Sequence, residues 1–63
     1  MDEVQLAIRV RKTFEESHNL CSVDYLASRI GADSEAIEKI LRDMEREGRV
    51  KYDTAMEIWK WLK

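Results

Sequence analysis

His18 and Cys21 stand three residues apart and are the only histidine and cysteine of the chain. They could form half of a zinc site, but a protein-only zinc cage takes four ligands, so only a metal shared across a dimer could use them. A lone thiol is usually a small buried hydrophobe, and His18 suits the negative end of a helix dipole. The 13 carboxylates could do acid–base chemistry only where two converge, and they are scattered along amphipathic segments. With Gly 2 there is no phosphate-cradling loop. No Ser/His/Asp set has a suitable context, and the chain is too short to build a water-excluding pocket. These residues point away from an enzyme and call for neither cofactor nor metal.

What remains is charged and aromatic surface. Between residues 31 and 48, Lys39, Arg42 and Arg46 face Asp33, Glu35, Glu38, Asp43, Glu45 and Glu47, so the segment is acidic. Glu35 with Lys39 and Glu38 with Arg42 stand at i,i+4 with the acid first, the better orientation for helix pairs. That pattern is the mark of a self-neutralised, solvated face. Positive charge gathers elsewhere, at Arg9, Arg11 and Lys12, and at Arg49, Lys51, Lys60 and Lys63.

The apolar spacing supplies three helices to hold these side chains. The first is expected over residues 2–17. Asp2 and Glu3 suit its N-terminal end, Leu6, Ala7, Val10 and Phe14 share one stripe with Val4 and Ile8 at its edge, and Asn19 is a left-handed stop. Leu20, Cys21 and Ser22 form an extended connector. The second helix runs from Val23 to Ile30, with Ser22 as N-cap, Val23, Leu26, Ala27 and Ile30 inward, and Gly31 at the C′ position. The third begins at an Asp33 N-cap, buries Ala36, Ile37, Ile40, Leu41 and Met44, and ends at Gly48.

The period then changes. Residues 49–53 alternate apolar and charged as a half-buried strand does, with Val50 and Tyr52 towards the core. Thr54 and Ala55 fall at a turn. Met56 to Leu62 is rich in β-branched and aromatic residues; a short helix on Met56, Trp59 and Leu62 is the alternative, but the preceding alternation favours the second strand of a hairpin. On that strand Trp59 and Trp61 share one face, while Met56, Ile58 and Leu62 share the other, interrupted by Lys60. An edge strand over a core should keep one polar face. Either Trp59 and Trp61 pack on helices one and three and the other face is merely less polar than usual, or both faces are covered, which makes Ile58, Trp59, Trp61 and Leu62 candidate contacts for a second copy of the chain or a partner protein.

At 63 residues the chain makes one domain, 1–63, of a size that buries only about 60% of its unfolded surface. One cysteine excludes an internal disulfide. A composition of 44% hydrophobic and 38% charged residues without proline excludes disorder and low-complexity linkers. No stretch approaches the roughly 18 apolar residues of a membrane span, and no export signal follows Met1. Together with the lone thiol, this leads us to expect a cytoplasmic protein. Gln5 and Asn19 are the only side-chain amides beside abundant Glu, Lys and Arg, as in heat-adapted proteins, so a thermophilic source is expected. The net charge of −2 lacks the basic excess of a simple nucleic-acid binder.

The run Ser22-Val23-x-x-Leu26-Ala27-x-x-Ile30-Gly31-Ala32-Asp33, continued by Ile37, Lys39, Ile40, Leu41, Met44, Glu45, Gly48 and Val50, resembles the winged helix-turn-helix superfamily, especially its compact bacterial and archaeal regulators. The resemblance covers about residues 20 to 50. Leu26 and Ala27 match the buried pair of the family's second helix, Gly31 its turn glycine, and Gly48 with Val50 the entry into the wing. It implies a mainly α fold with a small β-hairpin, three helices plus a C-terminal wing. It also implies double-stranded DNA as the partner, with helix three in the major groove. Carried over by position, Lys39 and Arg42 would donate to guanine and Ser34 would reach either kind of base. Arg46, Arg49 and Lys51 would contact the backbone, with Ser22 and the amides opening helix two.

A small DNA-binding transcriptional regulator, acting as a dimer, is thus one expected function. The charges argue for another, because an acidic reading helix forfeits the phosphate attraction that drives docking. The wing tip adds nothing, since Asp53 and Glu57 flank an uncharged turn. The alternative is a protein-interaction module that uses the acidic face of helix three, or the Trp59/Trp61 strand, without binding DNA.

Overall fold

Asp2, Ser22 and Asp33 hold extended backbone at the start of three helices. The structure, a computed structural model, describes residues 2–63. Helix α1 is Glu3–Glu16, and the Asp2 carboxylate accepts from the Gln5 amide at 2.8 Å. Helix α2 is Val23–Ile30, and the Ser22 hydroxyl accepts from the Tyr25 amide at 3.0 Å. Both bonds satisfy one of the orphan N–H groups that every helix start carries. Helix α3 is Ser34–Arg46; Asp33 occupies its N-cap position, but its side chain accepts no capping bond.

Gly31 closes α2 at φ +80°, and a Cβ there would meet nothing within 4 Å. The demand for glycine is therefore one of backbone conformation, not of space. After α1 the chain turns through two left-handed residues, His18 and Asn19, at φ 59° and 66°, where Asn19 alone is expected.

Leu20–Cys21 forms a strand, β1, followed after the helices by β2 (Val50–Asp53) and β3 (Ile58–Trp61). The sheet is antiparallel in the order β1-β3-β2, with Leu20 opposite Lys60 and Cys21 opposite Trp59. This corrects the expected mainly α fold with a two-stranded hairpin: the connector is a strand, and the fold is mixed α/β with three helices and a small three-stranded sheet. It also makes β3 the central strand where an edge strand is expected: Lys60 lies between Leu20 and Lys51 and is half-buried, as is Ile58 opposite Asp53. Two residues are too few to display a period, and their partner lies about forty residues on. Met56 is not in the strand either. It is exposed in the turn at 54–57, which Glu57 leaves with φ 56°.

The core lies between the helices and the inner face of the sheet. Leu6, Val10 and Phe14 of α1, Leu26 of α2, and Ile37, Ile40, Leu41 and Met44 of α3 meet Cys21, Val50 and Trp59. Trp61 packs against them, its ring centroid 5.6 Å from that of Phe14. Full burial of each large aliphatic or aromatic side chain contributes about 1.5–3 kcal/mol. Tyr52 departs from its expected core place. It shares the inner face with Trp59 but stays exposed towards the distal end of the hairpin, 5.1 Å from the Trp59 ring.

Candidate interaction surface on the third helix

Helix α3 is sharply two-faced. Ile37, Ile40, Leu41 and Met44 are buried, while Ser34, Glu35, Glu38, Lys39, Arg42, Glu45 and Arg46 are all exposed. The helical period thus carries Ser34, Lys39, Arg42 and Arg46 to solvent, as the spacing requires. Arg49 follows in the turn before β2, and Lys51 projects from β2 on the side away from Tyr52 and Trp59, opposite Lys60.

The charge pairing on this surface differs from the i,i+4 pattern. Lys39 does not pair with Glu35; its Nζ reaches Glu3 Oε1 of α1 at 3.1 Å. Arg42 does not pair with Glu38. Arg46 lies 3.9 Å from Asp43, and Arg49 lies 3.2 Å from Glu47. Glu3 sits a helix away at the start of α1, where sequence spacing gives no hint of it. Among the described residues Arg42 and Lys51 make no ion pair, and neither do Glu35, Glu38 and Glu45. Exposed pairs of this kind are worth about 0–1 kcal/mol, so they steer side chains more than they stabilise the fold.

Next to Arg42 the start of α2, α3 and the sheet enclose an open groove of about 440 Å³, lined by Val23, Glu38, Arg42, Glu45, Tyr52 and Trp59. One guanidinium, two carboxylates and a tilted aromatic pair meet there. Tyr52 is the member that sequence reasoning places elsewhere. Its alternation with Val50 marks the correct face of β2, but not how far along that face the helices reach.

At the hairpin tip the Asp53 carboxylate accepts from the Ala55 and Met56 amides at 3.0 and 3.2 Å, and Lys60 Nζ lies 3.4 Å away. The Met56 amide foremost, with the Ala55 amide and Lys60 behind it, holds the Asp53 carboxyl below its ordinary value. Asp53 is thereby committed to the turn.

The candidate partner-contact residues divide between two faces. Trp59 is buried and Trp61 half-buried against the chain's own core, whereas Ile58 is half-buried and Leu62 exposed. Cys21 is buried beside the Ser17 hydroxyl; burial pushes its thiol up, with the Ser17 bond partly offsetting the shift. His18 is exposed, and among the described residues no three His, Cys, Asp or Glu side chains are placed to share a metal ion. No described helix is long and apolar enough to cross a membrane. Comparison with known protein families, with curated proteins and with solved structures finds no match to the chain.

Proposed function

We propose that this chain is a winged helix-turn-helix module that binds double-stranded DNA, with α3 presented to the major groove and the β2–β3 hairpin as its wing. The observation that carries the reading is the outer face of α3. It is exposed along its whole length, and Arg42, with no ion pair among the described residues, stands in its middle. In this role Arg42 donates to guanine O6 and N7. Lys39 joins it once released from Glu3, and Ser34 reaches the neighbouring base. Arg46, Arg49 and Lys51 hold the phosphate backbone, and a second copy docks through Ile58 and Leu62. A salt titration on random duplex is the first test, since a DNA reader loses affinity steeply as salt rises. On a duplex selected by the protein itself, Arg42→Ala should weaken binding by about 1–3 kcal/mol. No binding at low salt would overturn the reading.

A second reading rests on Glu35, Glu38 and Glu45, which have no ion-pair partner among the described residues. A protein partner with a basic segment would satisfy all three, with Arg42 turned aside. It predicts that Glu38→Gln with Glu45→Gln abolishes capture of a basic peptide and that Arg42→Ala leaves any duplex binding unchanged.

A further inference from the structure

The strongest uncommitted positive charge on this protein is not on α3. Between α1 and α2 runs an open groove of about 260 Å³, lined by Arg9, Lys12, Thr13, Glu16, Arg29 and Ile30. Arg9, Lys12 and Glu16 follow one another at three- and four-residue steps and so share a side of α1. Arg29 faces them from the last turn of α2. Three cations therefore surround one carboxylate in a chain whose net charge is −2. Arg9, Lys12 and Arg29 make no ion pair among the described residues, whereas Lys39, Arg46 and Arg49 each have a carboxylate within reach.

The groove lined by Glu35, Glu38, Lys39, Arg42, Asp43 and Arg46 balances its charges. The one beside Tyr52 holds more carboxylate than cation. An approaching polyanion is thus drawn to the α1–α2 side first.

We infer that Arg9, Lys12 and Arg29 form a phosphate-binding surface for the sugar–phosphate backbone of a nucleic acid, on the face made by α1 and α2. This surface needs no base reading by α3 and holds whether or not α3 reads DNA. Two of the three cations are guanidiniums, whose planar fork matches phosphate oxygens in pairs. The floor offers little else. The Thr13 hydroxyl donates to the Arg9 carbonyl at 2.8 Å, and Ile30 is half-buried, so recognition rests on charge at the rim. The lining itself offers an anionic membrane no exposed apolar side chain; the exposed Ile8 and Tyr25 lie outside it, one helical turn from Lys12 and Arg29. An acidic peptide would need a strand edge or an apolar pocket for its backbone, and this face is helical.

The test compares full-length variants on a short random-sequence duplex by fluorescence anisotropy across a salt series. Replacing Arg9, Lys12 and Arg29 together by alanine should lower the slope of log K against log salt by about 2–3, at roughly 0.9 for each phosphate that is no longer neutralised. Arg9→Lys with Arg29→Lys should keep most of that slope. Glu16→Gln removes the single opposing charge and should tighten binding several-fold, a gain that misfolding cannot produce. An unchanged slope in the triple variant, or no gain from Glu16→Gln, overturns the inference. So does binding of equal strength to polyglutamate or to phosphatidylserine vesicles at matched charge, which would assign the groove to an acidic peptide or a lipid surface. Arg42→Ala with Lys51→Ala, run alongside, separates this surface from α3: a reduced slope there and not in the triple variant would place the phosphate-binding cations on α3 and its wing alone.

Discussion

Helices α2 and α3 are joined by a tight turn, yet different forces hold them. The eight residues of α2 fall short of the roughly 12–15 at which an isolated helix persists. It buries only Leu26 completely, and it is fastened at both ends, by the Ser22 hydroxyl and by left-handed Gly31. Helix α3 has no side-chain cap and is held instead by four buried side chains, Ile37, Ile40, Leu41 and Met44. A helix anchored through one dense face leaves the opposite face unconstrained. Helix α3 thus keeps its outer face out of the packing, while the caps and inner edge of α2 are taken up by holding it in place. The same contrast runs through the charges: α3 ties Lys39 and Arg46 to carboxylates, and the cations of the α1–α2 groove have no ion pair among the described residues.

The largest test of this difference is Leu41→Ala. Leu41 is fully buried, and removing its side chain should cost about 2–5 kcal/mol, a large part of the ~5–15 kcal/mol of an ordinary domain. Urea unfolding would measure it, and a loss under about 1 kcal/mol would mean that α3 is not held by its buried face. The caps come next. Ser22→Ala should cost about 1 kcal/mol, whereas Asp33→Ala removes no capping bond and should lose only the dipole contribution, about 0.3–1 kcal/mol. Equal losses in the two variants would erase the contrast between the helix starts. The smallest effect belongs to the hairpin beside α3. The carboxyl of Asp53 is held below its ordinary value, so it binds protons less readily in the folded state. Its contribution to stability is present above its unfolded pKa and fades as pH falls through the folded one. Asp53→Asn should therefore lower the melting temperature slightly at neutral pH and converge with the parent at acid pH, flattening the acid limb of the profile.

The helices were legible because each advertises itself locally. The stripe of Leu6, Val10 and Phe14, the Ser22 cap and the Gly31 stop are all written within a few residues of where they act. Val50 could be placed in the core by simple alternation. Partnerships between distant segments were not legible. Nothing near Lys39 announces Glu3, nothing near Leu20 announces Lys60, and Tyr52 has the period of a core residue yet lines an open groove. The candidate site divides in the same way. Which side chains of α3 face outward follows from 3.6-residue geometry, but which of them are free to bind follows from contacts with α1 and with the turn after α3. The cations of α1 stood out as an excess, but only the fold brings Arg29 beside them.

The order of the sheet also has a consequence in time. The strand at its centre, β3, is the last to be synthesised, and β1 cannot pair until β3 arrives. Contacts so far apart in the chain close late and slowly, while helices gather early from local contacts. During folding the three helices are therefore expected to gather with one wall of their core open until the Trp61 ring packs beside Phe14. The final strand works as a closing stitch. A chain truncated before Ile58 should expose that apolar wall, and would lack the groove beside α3, whose aromatic wall includes Trp59.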